Sequence, residues 1–124
     1  MQLTEDRAEG YFFIRACRAD SIVVIDRELR RSFIIAPHRV IEDWPARSIE
    51  TLDAGAIDAV LALEPELVLL GSGTRQVFPA RGLLLPLLRR GIGVEVMDNA
   101  AASRTYNLLA SEGRRVTAAF ILPG

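Results

Sequence analysis

LVLLGSGTRQVFPARGLLLPLLRRGIGVEVMDNAAASRTYNLLASEGRRVTAAFIL, residues 67–122, alternates three apolar runs too short for helices with two helix-length segments. That alternation is the sequence form of a βαβαβ unit with parallel strands. A unit of this kind gathers its polar loops at the carboxyl ends of the strands, where ligand sites of open α/β sheets lie. Two polar clusters fall there: Gly71-Ser72-Gly73-Thr74-Arg75 and Asp98-Asn99. Neither completes a chemical motif, so the fold class is readable and the activity is not.

Working towards the N-terminus, Asp53 is placed to cap a helix running through Leu63, with Ile57, Val60, Leu61 and Leu63 on its apolar side. Tyr11–Arg18, Ser21–Ile25 and Glu28–Ala36 are rich in aromatic and β-branched residues and read as strands, with Asp26-Arg27 turning the second onto the third. Val40–Trp44 adds a short strand. Trp44 belongs in the core, where its indole N–H needs an acceptor. The expected fold class is α/β, an N-terminal antiparallel meander followed by a βαβαβ unit with helices packed on a mixed sheet. No repeat or linker divides the chain, so residues 1–124 are expected to form a single domain.

Within the βαβαβ half, Pro79 is placed to open a helix and Gly91 to close it. Gly82 and Pro86 lie between them. A proline costs about 3 kcal/mol in a regular helix interior, so this segment should start late or kink. Asp98 or Asn99 caps the last helix and Gly113 ends it. On a helical wheel Thr105, Leu108 and Leu109 fall together and should pack on the sheet. Ala100, Arg104 and Asn107 share another face. The ring of Tyr106 should pack, with its hydroxyl sent to solvent or to a neighbour.

The chain has 124 residues, half of them hydrophobic and a quarter charged, with a formal net charge of −1. No global field draws it to nucleic acid or to an anionic membrane. Arg30-Arg31, Arg89-Arg90 and Arg114-Arg115 lack interleaved aromatics, so a nucleic-acid face is not expected. Cys17 is the only cysteine, which excludes an intramolecular disulfide. The start, MQLTEDRAEG, has neither signal-peptide nor transit-peptide character, and no apolar run approaches the ~20 residues of a membrane span. The expected localisation is cytoplasmic.

All fifteen basic residues are arginine. Without lysine, Schiff-base catalysis, a Ser-Lys dyad and a P-loop are excluded. One histidine and one cysteine exclude the usual zinc sites. No metal and no cofactor are expected. A Cys17–His38 dyad would need two distant segments to meet, and no carboxylate pair stands out for acid–base work. No catalytic residue is assigned, and the chain leans away from being an enzyme.

The glycine turn has two readings. Gln76 stands where a dinucleotide fingerprint needs its third glycine, so the plain reading is a tight turn that uses positive φ. The other is a phosphate or carboxylate site, with Arg75 supplying a bidentate guanidinium. Arg104 sits in the N-terminal half of its helix, where the macrodipole disfavours a cation; the plain reading is a solvated or structurally paired arginine, with Asp98 as the candidate mate, and the other is that it awaits an anion from a partner. The candidate binding patch is Gly71, Gly73, Thr74, Arg75, Asp98, Arg104 and Asn107.

Three stretches carry a family resemblance: IVVIDRELRRSFIIAP with its following Trp44, the G-x-G-x-x-Q-x-F-P segment (Gly71, Gly73, Gln76, Phe78, Pro79), and GVEVMD (Gly93 to Asp98) with SRTYN (Ser103 to Asn107). From about Arg18 onward the chain resembles the domain-of-unknown-function family 498/598, also called MTH-938-like. The family frequently has a cysteine where this chain has Ser103, and a continuous helix-forming stretch where this chain has Gly82 and Pro86. The resemblance implies a compact α/β domain with a mixed sheet and no established catalytic residues. Some eukaryotic relatives act in assembling mitochondrial respiratory complex I, and another is linked to fat-cell differentiation.

Two functions follow as expectations. The first is a non-enzymatic protein-interaction or assembly factor, respiratory-complex related, with a protein partner engaged by the candidate patch. The second is a small-molecule anion binder or enzyme using Gly71–Arg75, Asp98 and Arg104. A concave patch would favour the second. A flat patch bordered by exposed apolar side chains would favour the first. A homo-oligomer is compatible with either.

Overall fold

The computed structural model describes residues 4–6, 10–80 and 82–124, with residues 4–6 as backbone only. The sequence reading of the polar N-terminal decapeptide falls mostly outside them. In chain order the elements are β1 (Thr4–Asp6), β2 (Ile14–Cys17), β3 (Ile22–Val24), β4 (Arg27–Leu29), β5 (Arg31–Ala36), β6 (Arg39–Ile41), α1 (Ala54–Leu61), β7 (Leu67–Gly71), α2 (Leu85–Arg89), β8 (Gly93–Met97), α3 (Asn99–Ser111) and β9 (Val116–Pro123).

A six-stranded mixed sheet runs β1-β6-β5-β9-β7-β8, and a three-stranded antiparallel sheet runs β2-β3-β4. β7 pairs in parallel with β8 on one side and β9 on the other, which is the βαβαβ unit read from residues 67–122. β9 then pairs antiparallel with β5, joining that unit to the N-terminal strands. Alternation along β9 divides the core. Val116, Ala118, Phe120 and Leu122 face a cluster built with α3 and the small sheet. Ala119 and Ile121 face a second cluster with α1, α2 and Trp44. The sheet is therefore covered on both faces, so the strands read as continuous apolar runs.

Local signals worked where the chemistry was short-range. Asp53 caps α1 by accepting from the Ala56 N–H at 2.9 Å. Trp44 is 3% exposed and its indole donates to the Ala56 carbonyl at 3.0 Å. Asp98 caps α3 through the Ala101 N–H at 2.8 Å.

Four expectations need correction. The β3–β4 register pairs Val24 with Arg27, so the turn is Ile25-Asp26 and not Asp26-Arg27, with Ile25 left-handed at φ 55°. The run Glu28–Ala36 is two strands: β4 stays in the small sheet and β5 crosses to the large one. Pro79 opens no helix. The late start expected from Gly82 and Pro86 does occur: α2 begins only at Leu85, which puts Pro86 in its first turn, where a missing N–H costs no intrahelical bond. Finally, α3 buries Ala102, Tyr106 and Ala110 and leaves Leu108 58% exposed. Small residues at i and i+8 around one tyrosine let the helix approach the sheet closely, and that outweighs the larger apolar area of Leu108.

Candidate functional site

The carboxyl ends of β7 and β8 meet in a loop that is hydrogen-bonded to itself and to α3. Ser72 N–H donates to the Met97 carbonyl at 2.9 Å, continuing the β7–β8 ladder one residue beyond the strands. The Ser72 hydroxyl donates to the Arg75 carbonyl at 2.7 Å and accepts from the Val77 N–H at 3.0 Å, closing the turn on itself. Gln76 Nε2 donates to the Val96 carbonyl at 2.8 Å and so covers part of the outer edge of β8. Gly73, at φ 110°, uses backbone freedom that a side chain would lose.

Gly71 has a different reason to be glycine. A Cβ there would lie 2.4 Å from Asn99 Oδ1 and 2.7 Å from Phe120 Cδ1. Asn99 itself is 4% exposed. Its Oδ1 accepts from Gly73 N–H at 3.1 Å, and its Nδ2 donates to the Ile121 carbonyl at 2.9 Å. The side chain therefore bridges the ends of β7 and β9 from the first turn of α3. Asn99 and Ser72 organise the loop; the candidate patch left out Asn99 and held Ser72 only within the range Gly71–Arg75. The sequence signal for Asn99 was its place directly after the cap, which alone does not separate a cap from a strut.

The candidate residues divide into two sets. Thr74 and Arg75 are exposed and, with Gly73, border a shallow pocket of about 280 Å³ whose other walls include Arg47, Glu50 and Ile121. Asp98, Arg104 and Asn107 do not line it. Asp98 accepts at the N-terminus of α3, and Arg104 is exposed with no ion pair among the described residues. Asn107 clamps β2, its Oδ1 accepting from the Ile14 N–H and its Nδ2 donating to the Ile14 carbonyl, both at 2.8 Å. One helical turn of α3 thus carries a structural staple, which Tyr106 extends by donating to the Phe12 carbonyl at 2.8 Å. Burial raises the Tyr106 hydroxyl well above the ordinary phenol range and keeps it a neutral donor.

Cys17 is half-buried in the small sheet, while His38 lies between β5 and β6 of the large one. No cluster of three His, Cys, Asp or Glu side chains suited to a metal occurs among the described residues. Chemically, this end of the sheet offers exposed Arg75 and Arg104, a shallow concavity and a rigid backbone platform.

The β7–β8 connection carries apolar surface as it runs from this end of the sheet back to the start of β8. Phe78 is 66% exposed, and on α2 Leu85 and Leu88 are 42% and 53% exposed while Leu87 is fully buried. α2 packs against α1 and β8, and β8 is the edge of the sheet, pairing only with β7 among the described strands.

Residues 14–121 match the family described as a protein of unknown function, DUF498/DUF598. An NMR structure from Xanthomonas campestris is 46% identical with a TM-score of 0.85, over 100% of this chain and 94% of that one. A Bordetella pertussis protein described as an Mth938-like domain is 30% identical with a TM-score of 0.80, over 100% of this chain and 94% of that one. The human NADH dehydrogenase [ubiquinone] 1 alpha subcomplex assembly factor 3 is 35% identical over 91 residues. Those cover 72% of this chain and 49% of the human protein, so the chain spans about half the length of that relative.

Proposed function

We propose that this chain, which belongs to the DUF498/DUF598 family, is a non-enzymatic protein-interaction factor of the assembly type, with subunits of a respiratory NADH dehydrogenase as its partners. The observation that carries this reading is the apolar surface of the β7–β8 connection. Phe78, Leu85 and Leu88 stand exposed on the connection that leads into the edge strand β8, which begins after Arg75. Large exposed apolar side chains grouped on one connection mark interaction surfaces more often than catalytic ones. The kind of partner comes from the curated relatives named as assembly factor 3 of NADH dehydrogenase.

The rival reading, an anion clamp of Arg75 and Arg104 oriented by Asp98, draws less support. The pocket beside Arg75 is shallow and lacks Asp98 and Arg104, and Asp98 serves α3 as its cap. The proposed compartment is the cytoplasm, on the strength of the single Cys17. Among the described residues no helix is long and apolar enough to cross a membrane.

The test is affinity capture of the tagged chain from its host, with wild type beside Leu88→Glu and Arg104→Ala. NADH dehydrogenase subunits should be enriched with wild type and lost with a still-folded Leu88→Glu. Loss with Arg104→Ala as well would add the α3 face to the surface. Capture of no specific partner, or equal capture by Leu88→Glu, would overturn the proposed surface.

A further inference from the structure

A sizeable cavity lies at the opposite end of the parallel strands. It has a volume of about 600 Å³, within the usual range of small-molecule sites. Its walls come from the ends of α1 and α3, the β5–β6 turn and the start of β9. Most of that lining is apolar, with Tyr11, Leu63, Pro65 and Val116 among its residues.

Two polar groups stand on one side of this cavity. Thr117 lines it, is 2% exposed, and its hydroxyl makes no hydrogen bond among the described residues. A hydroxyl on a cavity wall can donate to a ligand atom placed there. Arg115 precedes Thr117 by two residues. Arg115 directly precedes β9, its carbonyl accepts from the Glu66 N–H at 2.9 Å, and both residues line the cavity. The Arg115 guanidinium donates to the Glu64 carbonyl, which leaves it further N–H groups.

Charge on the cavity lining is unbalanced in the same sense. Among the described residues Arg39, Arg114 and Arg115 border it, against Glu64 as the one carboxylate. Arg114 is partly compensated by Glu66 at 3.5 Å, and Arg39 and His38 make interactions of their own, so Arg115 with Thr117 is the pair that remains to be used.

We propose that this cavity binds a small amphipathic carboxylate, with the carboxylate held between Arg115 and the Thr117 hydroxyl and the apolar body lying against Leu63 and Pro65. A guanidinium offers paired N–H donors to a carboxylate, a hydroxyl can donate to the same oxygens, and the apolar wall excludes a fully hydrated anion. This site is separate from the β7–β8 connection, so it stands or falls independently of the partner surface.

Amide NMR titration of the full chain with octanoate tests it, beside octan-1-ol and inorganic phosphate at matched concentration. Octanoate should shift the amides of Leu63, Arg115, Val116 and Thr117 saturably, with a Kd on the order of 1 mM or tighter. Octan-1-ol and phosphate should each bind at least about ten-fold more weakly. Thr117→Val keeps the β-branched shape in a buried strand and should weaken octanoate about three-fold or more; Arg115→Gln should weaken it about ten-fold. Absence of saturable shifts at these residues overturns the site. An equal response to octan-1-ol overturns the carboxylate subsite, an equal response to phosphate overturns the apolar half, and full affinity in a folded Thr117→Val overturns the assigned position.

Discussion

Asn99 and Gly73 hydrogen-bond to each other reciprocally. The Asn99 side-chain oxygen accepts from the Gly73 N–H at 3.1 Å, and the Asn99 N–H donates to the Gly73 carbonyl at 2.8 Å. The glycine turn is thereby fixed to the first residue of α3, and its geometry is set by the protein and not by a bound anion. This is the physical reason for favouring a rigid interaction platform over a phosphate cradle: the donors such a cradle would aim at a ligand are partly used inside the fold.

Asn99→Ala removes partners from the Gly73 N–H and the Ile121 carbonyl together. Each orphaned group costs about 1–3 kcal/mol, so a loss of about 2–6 kcal/mol is expected in urea unfolding, with the denaturant slope unchanged. Gly71→Ala should also destabilise, by about 1–3 kcal/mol, because its Cβ collides with Asn99 and the Phe120 ring. Neutral behaviour of both variants would show that the bridge does not hold the loop.

Tyr106 joins α3 to the segment leading into β2 through the Phe12 carbonyl, with its ring fully buried. Tyr106→Phe keeps the ring and strands that carbonyl, so a loss of about 1–3 kcal/mol is expected. Hydrogen exchange at Ile14, Ala16 and Cys17 should rise more than at Leu69 if the damage is local to the α3–β2 contact. Uniform loss of protection would mean that the contact belongs to the global unfolding unit.

Legibility from sequence followed the range of the forces. The caps Asp53 and Asp98, the parallel strands and the burial of Trp44 were readable because each depends on neighbours in sequence or on simple apolar runs. The division of Glu28–Ala36 between two sheets was not, because the crossing is settled by β5 pairing with β9, some ninety residues away (Ile34 with Ala119). The packing face of α3 was misread for a related reason: hydrophobicity favoured Leu108, but close approach to the sheet favoured Ala102 and Ala110. At the candidate site, Arg75 and Thr74 were correctly placed on a loop at the carboxyl end of β7. The role of Asn107 was invisible, since its partner is the backbone of Ile14.

Glu28 is held below its ordinary value of 4.5 chiefly by the hydrogen bond from the Ser21 hydroxyl, with Arg30 and Arg18 adding to the effect. A carboxylate lowered on folding contributes stability that is complete above about pH 4.5 and fades as pH falls through the folded value. Ser21→Ala should therefore flatten the acid limb of the stability curve and raise the Glu28 value measured by NMR titration. An unchanged Glu28 titration would remove Ser21 as the cause.

Ser103 offers the opposite sign of change. It is 5% exposed on α3, and its hydroxyl has no hydrogen-bond partner among the described residues. Burying that hydroxyl unpaired is unfavourable, and alanine is the better helix residue, so Ser103→Ala should stabilise by about 1 kcal/mol. For a chain of this length the midpoint of thermal unfolding should rise by about 3–5 °C. Ser103→Cys tests the same point with a less polar group. Its sulfur exceeds the hydroxyl in size, so the gain should be smaller wherever the surrounding side chains cannot move aside. Destabilisation by both variants would show that the Ser103 hydroxyl has a partner after all, most simply a carbonyl of the preceding turn reached by a small rotation about χ1.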